Sequence, residues 1–162
     1  MEFKTTALSA LSALSNDNVL NVDLQMCFAL YSASLSMTKA YKPLLAKLNL
    51  TYPQYLVLIV LWEKDGVTVN TLGERLFSDS GTLTPLLKRL EKLGFIQRQR
   101  CAEDERRVII TLTEEGKKLQ NIAADVPMQI SCNTGCTLAE LYQLNSQLIS
   151  LRTALIKNST KL

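Results

Sequence analysis

At 162 residues the chain has room for one domain with or without appendages, and its 47% apolar content excludes global disorder and leaves enough for an oligomer interface. A net charge of +3 is too small to argue for nucleic acid by itself, so any such argument rests on where the cations lie. The chain has no histidine, the commonest metal ligand and general base, and Cys27, Cys101, Cys132 and Cys136 include no CxxC pair, so no metal and no cofactor are expected.

Residues 1–18, MEFKTTALSALSALSNDN, carry a small ALS repeat without a broad apolar stripe and are expected to be a flexible arm. They lack the continuous apolar core of a signal peptide, and no later run approaches a membrane span. A cytoplasmic protein without membrane contact is therefore expected, in a compartment where disulfides are usually transient and regulatory. Neither a phosphate-cradling glycine loop nor a G-x-S-x-G elbow is present, and no enzymatic activity is expected.

From Asn21 to about Tyr41 the pattern is helical, with Asn21 as cap and Asp23 in the first turn. Leu24, Cys27, Phe28, Leu30, Tyr31, Leu35 and Thr38 cover more than one face, which calls for burial on several sides and hence a partner subunit. Lys42-Pro43 is expected to break this helix, and a short one to follow from Leu44 to Leu48. Thr51 or Tyr52 caps the next helix, Pro53 sits in its first turn, and Leu56 to Trp62 is apolar all round, the mark of a central helix. Glu63 to Gly66 is a turn. Thr68 then caps a helix whose Val69, Leu72 and Leu76 face inward.

The stretch from Gly73 to Thr113 reads as a short helix, a turn, a basic helix and two strands joined by a charged loop. In the basic helix Leu83, Leu86, Leu87, Leu90 and Leu93 face a core, while Lys88, Arg89 and Lys92 lie mostly on the remaining surface. Asp79, Ser80 and Thr82 precede it as cap-forming residues, and Pro85 fits only in its first turn. Gly94 follows as a left-handed terminator. A helix with a polar N-terminus, here Asp79, Ser80, Thr82 and Thr84, and a basic flank, here Lys88 and Arg89, suits a DNA major groove. Residues 95–100 and 107–112 are β-like, and the loop between them should project as a wing. Arg98, Arg100, Arg106 and Arg107 make it positive, and an arginine at its tip can enter a minor groove.

After the wing, Thr113 caps a helix with Glu114 and Glu115 in its first turn, running to about Val126-Pro127. Thr137 and Glu140 form a capping box for a last helix. Its Leu141, Leu144, Leu148, Leu151 and Leu155 form a seam at alternating spacings of 3 and 4, which points to dimerisation.

The segments LQMCFALYSASLSMTKAYKPLLAKLNLTYPQYLVLIVLWE and LFSDSGTLTPLLKRLEKLGFIQRQRCAEDERRVIITLTEEG resemble the MarR winged-helix regulators, and within them the organic hydroperoxide-sensing repressors with two cysteines. The likeness spans roughly residues 20–155. It implies a mainly α fold with a small β-wing, a winged helix-turn-helix dimerised through its N- and C-terminal helices. Residues 19–50 are then N-terminal dimerisation and sensor helices, 51–115 the DNA-binding region, and 116–162 C-terminal dimerisation helices.

The resemblance implies a peroxide-sensing Cys27 whose thiolate is supported by the hydroxyls of Tyr41 and Tyr52. Cys132 takes the resolving position and Cys136 is its neighbour; which of the two resolves stays open. Cys101 departs from the family pattern. Asp104 and Arg106 match the family's wing Asp-x-Arg, where the acid orients the groove-inserting arginine. Cys27 and Tyr41 are fourteen residues apart on one helical pattern, about 20 Å in a straight helix, so a Tyr41 that touches Cys27 comes from the other subunit. The implied function is a repressor that binds operator DNA as a reduced homodimer and is released by organic hydroperoxides through a Cys27–Cys132 intersubunit disulfide. A repressor released by a phenolic ligand and a thiol peroxidase are the alternatives.

Overall fold

The all-round apolar segment becomes the helix on which the core is built, and its neighbours are ordered by how they cover it. The computed structural model describes residues 20–101, 104 and 107–159. They fall into two compact units, one ending at Lys39 and the other beginning at Ala40. The expected arm at 1–18 lies outside the described residues. No helix among the described residues is long and apolar enough to cross a membrane.

In the first unit Asn21 caps a 3-10 turn, Val22–Leu24, by accepting the Asp23 N–H at 3.0 Å. It does not cap the long helix, α1 (Met26–Ala46), which starts later. Within this unit Phe28, Leu35, Met37 and Tyr31 (61% exposed) have no cover. The Ser32 and Thr38 hydroxyls donate back to the carbonyls of Phe28 and Ser34, at 2.8 and 2.9 Å. These bonds turn two hydroxyls of the helix back onto its own backbone.

The second unit begins with the end of α1, and the expected break at Lys42-Pro43 does not occur: Pro43 lies inside the helix. A proline within a helix costs about 3 kcal/mol. Leu45 (1% exposed), Leu48 and Leu50 are buried here, each contributing about 1.5–3 kcal/mol, so burial wins. There is likewise no separate helix from Leu44 to Leu48. Asn49, in the left-handed region at φ 56°, turns the chain toward α2 (Tyr52–Glu63). The Thr51 N–H and hydroxyl both donate to Gln54 Oε1, at 2.8 and 3.0 Å. Tyr55, Val57, Leu58 and Leu61 of α2 are buried, as its unbroken apolar run requires.

Strand β1 (Val67–Thr68), helix α3 (Val69–Leu76), helix α4 (Ser80–Lys92) and strands β2 (Ile96–Arg100) and β3 (Val108–Leu112) follow. The sheet is antiparallel in the order β1-β3-β2, with Val67 opposite Ile110 and Ile96 opposite Leu112. β1 was not foreseen, because two residues show no alternation; its pairing with β3 makes it a strand. The Asp65 carboxylate reinforces that edge by accepting the Leu112 N–H at 2.8 Å. Thr68 caps α3 and Thr113 caps α5 (Glu114–Ala123) as the sequence indicates.

Two boundaries differ from expectation. Helix α4 starts at Ser80, capped by Asp79 alone, so Ser80 and Thr82 are helical and Pro85 falls in the second turn. Burial of Leu83, Leu87 and Leu90 on one face holds the helix through the missing N–H. Helix α5 stops at Ala123 and a new helix, α6 (Val126–Thr134), carries Cys132 in its last turn. Pro127 has no N–H for the Ala123 carbonyl, while Val126 and Ile130 are buried, so the chain turns and restarts. Gly94 and Gly135 terminate α4 and α6 with φ of 79° and 71°. The capping box at Thr137 and Glu140 opens α7 (Leu138–Ser159), which has no buried residue. Its seam residues Leu144, Leu148 and Leu155 are exposed.

Candidate nucleic-acid interface and redox site

The exposed rim of α4 is built by its cap. Asp79 accepts the Thr82 N–H at 2.8 Å and the Thr82 hydroxyl at 3.0 Å, and these bonds hold its carboxyl below the usual carboxylate range. The Thr84 hydroxyl donates to the Ser80 carbonyl at 2.7 Å. Ser80, Thr82, Thr84, Lys88 and Arg89 are all exposed, while Leu83, Leu87 and Leu90 anchor the opposite face. Every α4 residue singled out from the sequence is thus accessible, with Ser80 and Thr84 on the side of Arg98 and Arg107 and Lys88 and Arg89 on the side of Leu50 and Gln54. Asp79 is the cap that orders the first turn.

The wing is only partly described. Arg106 lies outside the described residues. Next to it, the Asp104 carbonyl accepts the Arg107 N–H and the Arg107 carbonyl accepts the Cys101 N–H, both at 2.9 Å, closing the base of the loop. Arg98 does not add to the wing's free charge. Its Nε donates to Glu91 Oε2 at 2.9 Å and its second nitrogen lies 2.7 Å from the same oxygen, tying β2 to α4. The Arg98 side chain holds Glu91 below its ordinary range. A second tie was also missed by the sequence. Phe77, left-handed at φ 52° in the turn between α3 and α4, carries the Arg152 guanidinium of α7 4.1 Å above its ring.

The thiols fall in both units. Cys27 is exposed and is the second residue of α1, where first-turn N–H groups have no intrahelical partner. Cys132 is exposed at the end of α6. Cys136, beyond Gly135, is also exposed, and its N–H donates to the Thr134 hydroxyl at 3.2 Å. All four cysteines are free, with Cys101 half-buried.

Tyr41 and Tyr52 meet in the second unit, with ring centroids 4.6 Å apart. Tyr55, which the sequence did not single out, lies 6.0 Å from Tyr41 and edge-on to Trp62. Burial, then the neighbouring Tyr52 and Tyr55, pushes the Tyr41 hydroxyl up to about 12. Burial raises Tyr52 as well. Both phenols therefore stay protonated, as hydrogen-bond donors, throughout the physiological range.

A raised phenol favours the fold only while the unfolded chain would also be neutral. Stability from Tyr41 is thus complete below pH 10 and is lost as pH rises toward 12. Tyr41→Phe should flatten the alkaline fall in urea midpoint that the native protein shows across that window.

A basic helix presented by its cap, a three-stranded wing sheet behind it and helices on either side in the chain define a winged helix-turn-helix transcription regulator. Residues 39–122 match the family of transcriptional regulators SarA/Rot, and the chain belongs to this family of MarR-like winged-helix proteins. The organic hydroperoxide resistance transcriptional regulator of Bacillus subtilis (strain 168) is 54% identical over 127 residues, covering 78% of this chain and 86% of that protein. Structures of AbfR, a Staphylococcus epidermidis protein, are also similar. Reduced AbfR bound to DNA matches with a TM-score of 0.68 and 37% identity, over 85% of this chain and 96% of that one. Overoxidised AbfR bound to DNA gives 0.70 and 35%, over 87% and 99%. Disulfide-formed AbfR gives 0.59 and 37%, over 83% and 95%.

Proposed function

We propose that this regulator is a repressor that holds operator DNA as a reduced homodimer and lets go when an organic hydroperoxide oxidises Cys27. The observation that carries the reading is the pair of AbfR states, reduced on DNA and disulfide-formed, in a protein so similar to this one. The identity to the Bacillus subtilis regulator supports organic hydroperoxides as the signal.

The Cys27 thiolate attacks the terminal peroxide oxygen, the O–O bond breaks, and the alcohol leaves after taking a proton. The sulfenic acid left on Cys27 is attacked by the Cys132 thiol of the other subunit; a disulfide forms and water departs. The two thiols supply both electrons. Tyr41 and Tyr52, kept protonated, are the donors that support the thiolate. Overoxidised AbfR is bound to DNA, which favours the disulfide over mere oxidation as the releasing step. A new disulfide needs Cα atoms within about 7 Å, and drawing helices to that distance resets two recognition helices that must match half-sites about 34 Å apart.

On DNA, Ser80, Thr82 and Thr84 face base edges while Lys88 and Arg89 meet phosphates. Arg106, oriented by Asp104, enters the minor groove. The dimer is closed by the uncovered apolar residues of α1 and α7. Leu148→Glu should therefore shift the sedimenting species to the monomer and weaken operator binding; an unchanged dimer would remove α7 from the interface. The reading as a whole is tested by gel shift on the upstream DNA of the chain's own gene. Cumene hydroperoxide should release the wild type, and dithiothreitol should restore binding.

A further inference from the structure

The start of α2 and the C-terminal half of α4 border an open groove of about 820 Å³. Leu50, Pro85 and Leu93 give it apolar walls, and α4 sets Lys88, Arg89 and Lys92 along it. Among the described residues none of the three cations has an acidic partner. The first turn of α2 likewise has no acidic residue to offset the positive end of its dipole.

Gln54 lines the same groove and is 1% exposed. Its Oε1 is committed to the Thr51 N–H and hydroxyl, which fixes the amide's orientation. The Nε2 at the other end is buried and has no acceptor. A buried donor without a partner is costly, and an acceptor reaching it from the groove would offset that cost. Three unpaired cations, a helix N-terminus and a lone donor together suit a dianion with several acceptor oxygens better than a carboxylate. DNA contacts account for Lys88 and Arg89 in the reading above, but for neither Lys92 nor Gln54.

We propose that this groove is a phosphate-group site, with Gln54 Nε2 and Lys92 as the ligands that distinguish it from the general DNA-facing surface. The phosphate is carried either by a small monoester, whose body would lie on Leu50, Pro85 and Leu93, or by the operator backbone. Two variants probe it. Gln54→Glu keeps the capping oxygen and turns the donor into a carboxylate. Lys92→Gln removes one exposed charge.

The full chain, free of DNA and reduced, is titrated calorimetrically with phenyl phosphate, and operator affinity is measured against salt for each protein. A small-ester site gives one saturable site per chain, weakened about tenfold or more by each variant. A backbone site gives no phenyl phosphate binding, but Lys92→Gln lowers the salt slope by about 1 and both variants weaken operator binding. The proposal is overturned if the wild type binds no phenyl phosphate and the slopes agree, or if it binds and both variants bind equally well. Should Gln54→Glu fail to fold, Lys92→Gln alone decides. Neither arm involves peroxide, so the result stands apart from the fate of the redox mechanism.

Discussion

Cys27→Ser is expected to hold its operator at hydroperoxide concentrations that release the wild type. Serine nearly matches cysteine in volume, and Cys27 is exposed, so the exchange should leave fold and reduced-state binding alone. What disappears is the nucleophile that attacks the peroxide, since a serine hydroxyl does not attack an O–O bond. Wild-type affinity should drop at least about tenfold on oxidation, a change of about 1.4 kcal/mol, against no measurable change in the variant. Cys132→Ser adds a second arm. Its Cys27 can still reach the sulfenic and higher acids, but no intersubunit bond can form, so it too should stay bound, as overoxidised AbfR does. A crosslinked dimer on a non-reducing gel should require both Cys27 and Cys132 and survive Cys136→Ser. If instead Cys136→Ser abolishes the crosslink, the resolving role moves four residues along the chain. Release of Cys27→Ser by the peroxide would remove the thiol mechanism altogether and leave a ligand-released repressor.

Gly116→Ala should be the most damaging single-methyl change in the second unit. A Cβ at Gly116 would stand well inside contact distance of the Phe95 carbonyl and 3.2 Å from Leu112 Cδ2. Neither end can yield easily. The Phe95 carbonyl accepts the Thr113 N–H at 3.0 Å, and Thr113 Oγ1 both donates to the Gly94 carbonyl and accepts the Gly116 N–H. The Gly116 carbonyl in turn accepts Trp62 Nε1 at 2.9 Å, which joins α5 to α2. Forcing a methyl group into such a junction should cost about 3 kcal/mol, the upper part of the range for overpacking. Gly94→Ala is the control. Its left-handed φ of 79° is unfavourable for alanine, but nothing lies near the new methyl group, so about 1–2 kcal/mol is expected. Urea midpoints at constant m-value separate the two. A smaller loss at Gly116 than at Gly94 would mean that β2 and α5 can part without penalty.

The difference between what was readable and what was not follows the range of the forces involved. Thr68, Thr113 and Thr137 could be recognised as caps because a cap is satisfied within three residues of itself. Gly94 could be recognised as a terminator for the same reason. Helix α2 showed itself through a run apolar on every side, and the basic rim of α4 through leucines at helical spacing. Cys27, Cys132, Tyr41 and Tyr52 were singled out by likeness to a known family rather than by periodicity. Pro43 and Pro85 were misplaced because the leucines that outweigh a missing N–H do so by packing on distant elements. Strand β1 exists only by pairing with residues about forty positions later. The ring contact of Tyr41 with Tyr52, the Glu91–Arg98 tie, the Arg152–Phe77 stack and the orphaned Gln54 amide were equally out of reach. Local hydrogen bonds and side-chain periodicity leave their record in neighbouring residues. Which buried group ends up with a partner, and which without, depends on how separate elements close on one another, and no short stretch of chain holds that record.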